Sequence, residues 1–225
     1  YDGVGGASIH LKDKILLTTG TPANNSEYIR ALAQNDQSFF GKIIEIKKKD
    51  LENLNLNQNE KINVNIFSKG HRNPQGMAII DDKIYSSEHG PKGGDEVNLI
   101  QKDTNYGWPK ATFGEEYGGG VIGEYQVAGM QDSVTYYLPS IAPRAIRYVS
   151  ESQAFPNMNN SLLITSLKFS RLVSLRLDSD RPLHSFVDLS GQGRISGLDL
   201  NEAGEIFVAT HSIPGRVLKL TSGQR

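Results

Sequence analysis

A short pattern of apolar and β-branched residues that recurs four times constrains the fold of this chain more than any other feature. The pattern occupies residues 14–19, 83–87, 161–166 and 205–210. A second apolar run follows each of them, at residues 42–46, 96–100, 171–175 and 216–220. Enrichment in β-branched and aromatic residues, with Asp, Asn and Gly between the runs, is typical of strands. A further short run precedes the first pattern, as at residues 76–80, so the unit is predicted to be an antiparallel sheet of about four strands.

Repetition of a small sheet favours a β-propeller, in which radially repeated blades leave only short edges. We therefore predict an all-β fold of the propeller type, with about four blades forming a single domain over residues 1–225. A β-sandwich stays open as the alternative, because any all-β protein shows strands and turns at regular spacing. The segment Ser26 to Phe40 is predicted to be a helical excursion, and residues 50–59 an exposed loop.

The composition excludes several classes of partner. Among the 225 residues, 24 basic and 25 acidic side chains give a formal charge of −1, which provides no electrostatic footprint for nucleic acid or an anionic membrane. Cysteine is absent, so disulfides and thiolate metal sites are excluded. No apolar run has the length of a membrane span, and no signal peptide is visible in a chain that opens on Tyr1.

The propeller prediction places most of the unusual polar residues on one face. Consecutive antiparallel strands alternate in direction, so the loop before the innermost strand and the loop after the second strand open on the same end of the ring. Loops of the first kind are 71–75, 137–143 and 193–196, and loops of the second kind are 20–21, 87–91 and 167–169. We expect them to surround one pocket near the axis.

Three cations are predicted to meet in that pocket. Arg72, Lys168 and Arg194 would surround an anion, since Arg suits planar carboxylates and Lys supplies a point charge. Hydrogen-bonding groups would be added by Asn73, Gln75 and Ser140. This combination indicates a small ligand with several carboxylates, while the alternative for any single cation is an ordinary surface salt bridge.

The residues alone support a metal site less strongly than they support an anion site. The turn 87–91 could present backbone carbonyls to Ca²⁺, although a Gly-Pro turn between strands needs no metal. His71 and His89 are not spaced as a transition-metal pair. Asp95 and Glu96 could act as acid/base groups, but a carboxylate pair opening an outer strand is more often a solvated edge device.

Three motifs then carry a resemblance to a known family. They are GHRNPQG at residues 70–76, SEHGPKGGDEVNLI at 87–100 and NYGWP at 105–109, with weaker support from LPSIAP at 138–143, SLKFSRL at 166–172 and GRI at 193–195. The chain resembles the soluble sugar dehydrogenases that depend on pyrroloquinoline quinone (PQQ), also called glucose/sorbosone or aldose sugar dehydrogenases. Within the NYGWP motif, Tyr106 and Trp108 are interpreted as packing under a turn.

The resemblance implies a six-bladed propeller with the quinone over its axis and Ca²⁺ activating it. It implies that Arg72 and Asn73 contact the quinone, and that Lys168 and Arg194 meet its carboxylates or ring oxygens. Ser140 would stand where a small hydroxyl residue hydrogen-bonds the cofactor. The carbonyls of Gly90 and Pro91 would be the Ca²⁺ ligands.

Three departures from the family pattern fall on the chemistry. The family's catalytic His just before a Gly-Gly has no counterpart in residues 2–7, and His10 lies past the Gly-Gly and is not accepted as a substitute. The family's Gly-Asp is Gly20-Thr21 here, and its Arg-x-Arg is Arg194-Ile195-Ser196. Loss of the base alone should cost roughly two to four orders of magnitude in rate.

The resemblance predicts an oxidoreductase that transfers a hydride equivalent from a sugar hydroxyl or hemiacetal to PQQ, with a sugar and an external electron acceptor as partners. The departures leave activity open, and the alternative is an inactive relative that binds a ligand or a protein. Since only about four blade units are counted against six in the family, we expect roughly two N-terminal blades to be missing before Tyr1. The resemblance also implies a periplasmic or secreted protein.

Overall fold

The computed structural model describes residues 5–22, 26–52, 61–177 and 182–222, and its strands form four separate sheets. Blade 1 contains β1 (Ser8–His10), β2 (Lys14–Thr19), β3 (Lys42–Lys47) and β4 (Val64–Lys69). Blade 2 contains β5 (Pro74–Ile80), β6 (Lys83–Glu88), β7 (Asp95–Ile100) and β9 (Thr135–Tyr137). The short strand β8 (Thr104–Asn105) lies between β7 and β9 in sequence, but it pairs with β4 of blade 1 in parallel.

The other two sheets follow the same plan. Blade 3 contains β10 (Pro143–Val149), β11 (Ser161–Ser166), β12 (Arg171–Arg176) and β13 (Leu183–Asp188). In blade 4 the described strands are β14 (Arg194–Leu200), β15 (Ile206–His211) and β16 (Val217–Lys219). Apart from β8, all neighbouring strands within the four sheets are antiparallel.

The predicted strands are therefore confirmed. The recurring pattern forms the second strand of every blade, and the later apolar run forms the third. In blade 2 the turn between β5 and β6 is Asp81-Asp82, and both residues have positive φ values, 45° and 64°. A two-residue hairpin of type I′ requires this conformation, which Asp tolerates better than most residues.

The blades follow each other around an axis in chain order. Inner strand β5 packs against β1 and β10, and β10 packs against β14. A separate hydrophobic core lies between each pair of neighbouring blades, with Leu16 and Met77 in the first, Val97 and Leu162 in the second and Leu163 in the third. This radial arrangement is that of a β-propeller and not of a sandwich, whose two sheets share one core.

The described strands form an arc of four blades. Across the described residues, β14 does not pack against β1 to the extent that the other successive inner strands pack against each other. One open side of the arc therefore lies at β1 and the other at blade 4.

The predicted helical excursion is confirmed for residues 27–34. It forms α1 (Glu27–Ala31) and one 3₁₀ turn (Leu32–Gln34). The fully buried Lys42 at the start of β3 holds the excursion, since its Nζ donates to the carbonyls of Leu32, Ala33 and Phe40 at 2.8–2.9 Å. Burial lowers the pKa of Lys42 to about 8, and the charge of Asp36 partly opposes this effect.

The predicted loop at residues 50–59 is wrong at its start. Residues 50–52 belong to α2 (Lys48–Glu52), which begins directly after β3 and is rich in residues that favour helix. Residues 53–59 lie outside the described part of the chain. None of the helices in the described ranges combines the length and the apolar character needed to cross a membrane.

Candidate functional site

A cleft of about 780 Å³ opens at one end of the inner strands, where five of the six predicted loops meet. Residues 20–21 do not line it, because Thr21 is bound to the Arg72 carbonyl beside the cleft. All eight residues that the sequence singled out for a cofactor or a metal line it: Arg72, Asn73, Gln75, Gly90, Pro91, Ser140, Lys168 and Arg194. They come from blades 2, 3 and 4 and from both kinds of loop. The structure thus brings the set together, while the role of each residue stays a prediction.

Arg72 is held in a defined position at the wall of the cleft. Its Nη1 donates to the carbonyl of His89 at 3.2 Å, and its guanidinium carbon lies 5.6 Å from the centre of the Trp108 ring. Its own carbonyl accepts hydrogen bonds from the backbone N–H and the hydroxyl of Thr21, at 2.7 and 3.1 Å. The side chain and the backbone of Arg72 are therefore both held in place. A guanidinium in a fixed plane favours a planar ligand group, such as a carboxylate, over a spherical ion.

Behind Arg72 lies a buried network that the sequence reasoning missed. Ser68 Oγ is 2.9 Å from His71 Nε2, and His71 Nδ1 is 2.9 Å from Glu88 Oε2. The three side chains are at most 4% exposed, so this Ser-His-Glu arrangement cannot reach a substrate. Tyr106 stacks on the imidazole at a centroid distance of 4.7 Å. As predicted, Tyr106 and Trp108 are buried packing residues.

Asn73 and Gln75 join blade 2 to the start of blade 1. Asn73 Oδ1 accepts hydrogen bonds from the Gly5 N–H at 3.2 Å and from Gln75 Nε2 at 2.7 Å. The Gln75 amide also donates to the Gly5 carbonyl at 3.2 Å. No described residue accepts a hydrogen bond from Asn73 Nδ2, which leaves a donor for a ligand in the cleft.

The prediction of a solvated edge device is wrong for Asp95. This carboxylate is 1% exposed, because β7 begins beneath the cleft. Its Oδ1 accepts from the Gly90 N–H at 2.9 Å and from Ser140 Oγ at 3.0 Å, and its Oδ2 accepts from the Ala142 N–H at 2.7 Å. Asp95 therefore fixes two loops of the cleft to each other.

Glu96 points away from the cleft. Burial, with a smaller contribution from the charge of Glu88, raises the pKa of Glu96 to about 8. The side chain lines a small internal cavity together with Arg72 and Trp108. Glu96 is half-buried, so the edge of β7 is less solvated at this residue than the sequence predicted.

His89 lines the cleft, and the sequence reasoning considered it only as a metal ligand. Its Nε2 lies 2.6 Å from the Pro143 carbonyl, which assigns the proton to Nε2 and leaves Nδ1 as the basic nitrogen. Burial lowers the pKa of His89, an effect that the nearby Asp95 carboxylate and the bond to Pro143 partly oppose. The imidazole is therefore neutral at neutral pH. In the sequence, only its position directly before Gly90-Pro91 indicated that His89 would line the cleft.

Lys168 and Arg194 supply two further cations at the cleft, and both are exposed. Across the described residues, no carboxylate comes within 4.0 Å of either side chain. The alternative of ordinary surface salt bridges is thus not what the structure contains for these two residues. Lys92, which is also exposed and paired with Glu115 at 3.7 Å, adds another positive charge.

Comparison with known proteins gives the family. A family model described as glucose/sorbosone dehydrogenase matches residues 4–219. The chain belongs to the glucose/sorbosone dehydrogenase family. Aldose sugar dehydrogenase YliI of Escherichia coli K12 is 36% identical over 162 residues, which cover 69% of this chain and 43% of that protein. Quinoprotein glucose dehydrogenase B of Acinetobacter calcoaceticus is 44% identical over 64 residues, 28% of this chain and 13% of that protein.

A solved structure agrees with the fold. The apo-form of the soluble aldose sugar dehydrogenase from Escherichia coli superposes with a TM-score of 0.79 at 30% identity, covering 92% of this chain and 60% of that one. The chain therefore spans about half the length of the curated relatives that it matches. The match covers 43% of YliI and 53% of a second curated relative.

The departures from the glucose/sorbosone dehydrogenase pattern can be placed in part. Residues 2–4 lie outside the described residues. His10 is exposed on β1 and does not line the cleft. Thr21 is buried against the Arg72 carbonyl, and Ser196 Oγ lies 3.4 Å from the Ala209 carbonyl. Neither hydroxyl takes the place of the charged group that the family pattern has at its position.

Proposed function

We propose that this chain forms the cofactor-binding part of a PQQ-dependent sugar dehydrogenase. The enzyme would oxidise the anomeric hydroxyl of an aldose and pass the electrons to an external acceptor. Membership of the glucose/sorbosone dehydrogenase family and the quinoprotein among its relatives support this proposal. The observation that carries it is the convergence of Arg72, Lys168 and Arg194 on one cleft.

The residues fit a quinone that carries several carboxylates. Among the described residues, four cations line the cleft, whereas the one carboxylate there, that of Asp95, accepts three internal hydrogen bonds. The cleft therefore presents positive charge to a ligand, and its volume of about 780 Å³ lies within the range of small-molecule sites. Arg72 would meet planar oxygens of the cofactor, and Lys168 and Arg194 its exposed carboxylates.

The turn beside it fits a hard cation. No described donor hydrogen-bonds the carbonyl oxygens of Gly90 and Pro91, and Asp95 fixes the turn through the Gly90 N–H. Ca²⁺ takes oxygen ligands of this kind. The described residues contain no group of three or more His, Asp or Glu side chains suited to a metal. We propose that these two carbonyls would hold Ca²⁺, which would supply positive charge beside the cofactor.

The proposed reaction removes a hydride equivalent from C1 of the sugar and a proton from its hydroxyl, and gives a lactone. Bound PQQ would supply the two-electron oxidation. The chain supplies orientation through Arg72 and Asn73, and charge stabilisation through Lys168 and Arg194. His89 is the only His among the described residues that lines the cleft. It stands next to the proposed Ca²⁺ ligands, where its neutral imidazole would present Nδ1.

The test uses the complete protein, freed of cofactor and then given PQQ with Ca²⁺. A titration followed by the absorption spectrum of the quinone measures binding, and sugar-dependent reduction of a dye measures turnover. Saturable binding with turnover is expected, and Arg72→Ala should lose both. Arg147→Ala is the matched control, since Arg147 is exposed on blade 3 and pairs with Asp199. Binding without turnover would indicate the inactive relative, and absence of binding would overturn the proposal.

We also propose that the protein is exported, as the family resemblance implies. Fractionation of the source cells, with a cytoplasmic marker as control, tests this location. Recovery with the cytoplasmic marker would contradict it.

A further inference from the structure

A second pocket, of about 360 Å³, lies beside the cleft in the groove between blades 2 and 3. We name it the aromatic pocket. Its walls are Tyr136 from β9, Phe169 from the turn after β11, Arg171 from β12, and His184 and Phe186 from β13. Its volume falls within the range of small-molecule sites, about 300–1,000 Å³.

The rings of this pocket are arranged for contact with a ligand and not for core packing. Phe169 and Phe186 are 36% and 55% exposed, which is unusual for two neighbouring Phe side chains. The Arg171 guanidinium carbon lies 5.8 Å from the Phe169 ring centre and 5.9 Å from that of Phe186. Phe113 stacks on one face of Tyr136 at a centroid distance of 3.9 Å and an interplanar angle of 6°. A flat ligand would find aromatic surface and one cation.

The polar groups of the pocket narrow the class of ligand. Among the described residues, Arg171 is the only permanently charged side chain that lines it. Ser166 is already used, because its hydroxyl donates to the Ile141 carbonyl at 2.7 Å and accepts from the Phe169 N–H at 3.2 Å. Burial lowers the pKa of His184, so its imidazole is neutral at neutral pH. The other polar groups in the lining are the hydroxyls of Tyr136 and Tyr137, and that of Tyr137 is buried with no partner among the described residues. A sugar would need more hydrogen-bonding partners than these, whereas a flat aromatic molecule with acidic or carbonyl oxygens fits Arg171 and the tyrosine hydroxyls.

The aromatic pocket shares a wall with the cleft. Ser140 lines the cleft and the next residue, Ile141, lines the pocket. Lys168 and Phe169 repeat this division, and Lys168 Nζ lies 5.2 Å from the centre of the Phe169 ring. Neighbouring residues of the same two segments therefore line the two cavities.

We propose that the aromatic pocket binds a planar quinone with an anionic substituent, its rings against Phe169 and Phe186 and its charge on Arg171. Resting on the proposed function, we infer that this quinone is the external electron acceptor. The two electrons and two protons removed from the sugar would pass from the cleft to the quinone, which becomes the hydroquinone. The neighbouring positions of Lys168 in the cleft and Phe169 in the aromatic pocket suit such a transfer.

The binding test uses 1,4-naphthoquinone-2-sulfonate as probe and the complete protein without PQQ, in equilibrium dialysis followed by absorbance. Saturable binding is expected, with the Kd raised at least tenfold by Phe186→Ala and by Arg171→Gln. Matched controls are Phe39→Ala and Arg147→Gln, since these exposed residues line neither cavity. An unchanged Kd in both pocket variants would overturn the proposal, as would displacement of the probe by PQQ, which would place it in the cleft.

A second measurement separates this inference from the proposed function. With PQQ, Ca²⁺ and sugar present, Phe186→Ala should raise the KM for the quinone at least tenfold and leave the KM for the sugar unchanged. Probe binding without any sugar oxidation would refute the dehydrogenase and retain the pocket. Sugar oxidation with an unaltered KM for the quinone would retain the dehydrogenase and refute the acceptor site. Thermal unfolding of each variant checks that the fold is intact.

Discussion

Glu88 Oε2 lies 2.9 Å from His71 Nδ1, although the two residues are 17 positions apart. The Ser68 hydroxyl contacts the other ring nitrogen of His71. The two hydrogen bonds of the imidazole therefore link β4 of blade 1 to β6 of blade 2. The second oxygen of Glu88 faces the Arg72 N–H at 3.4 Å. The network thus holds the backbone from which Arg72 enters the cleft.

Replacing His71 by Leu should lower the free energy of unfolding by about 3 kcal/mol, because it leaves the buried Ser68 hydroxyl and Glu88 carboxylate without their partner. Urea unfolding of the complete protein measures this loss. His10→Leu serves as the control, since His10 is exposed on β1. A loss below about 0.5 kcal/mol in His71→Leu would show that the network contributes little to stability.

Asp95→Asn should also destabilise the protein, by about 3 kcal/mol, because an amide would direct N–H groups at the donors of Gly90, Ser140 or Ala142. Thermal unfolding with and without Ca²⁺ is the measurement. Asp199→Asn, at an exposed position of β14, is the matched control. Equal melting temperatures for the two variants would contradict the role of Asp95 in joining the two loops.

Arg72→Lys should weaken PQQ binding by about tenfold to a hundredfold, even though the positive charge is kept. Lysine cannot reproduce the planar guanidinium that lies over Trp108 and bonds the His89 carbonyl. Spectroscopic titration measures the affinity, with Arg147→Lys as control. Wild-type affinity in Arg72→Lys would mean that only the charge matters at this position.

The lowered pKa of Lys42 predicts that the stability of the folded protein depends on pH. Its pKa is about 8 in the folded protein and near 10.5 when unperturbed, so the unfolded chain binds more protons between these values. Stability should therefore rise as the pH increases from about 8 to 10.5, and the penalty of burying the charged amine is present in full below pH 8.

Lys42→Met should remove this rise, and Lys12→Met, at an exposed position, should keep it. Urea midpoints at several pH values between 7.5 and 10 provide the comparison. Parallel pH profiles for wild type and Lys42→Met would exclude Lys42 as the titrating group.

The sequence by itself determined the strands, the blade repeat, the family and eight of the residues that line the cleft. These features depend on local patterns. Apolar runs and turn residues such as Asp81-Asp82 specify hairpins, and the order of strands in a blade decides which loops share an end. Arg72 and the Gly90-Pro91 turn could be predicted as site residues for the same reason. They lie in loops whose end of the ring follows from the alternating direction of consecutive strands.

Only the tertiary structure decided what surrounds those residues. The partners of Asp95 lie up to 47 positions away, and Thr21 meets Arg72 across 51 positions. Asp95 looked like a solvated strand edge because local pattern carries no information on the loop that later covers it. The aromatic pocket has the same origin, since its rings are brought together only when blade 3 packs against blade 2. Burial and long-range contact are properties of the packed chain, and they set the charge and the orientation of each group in the site.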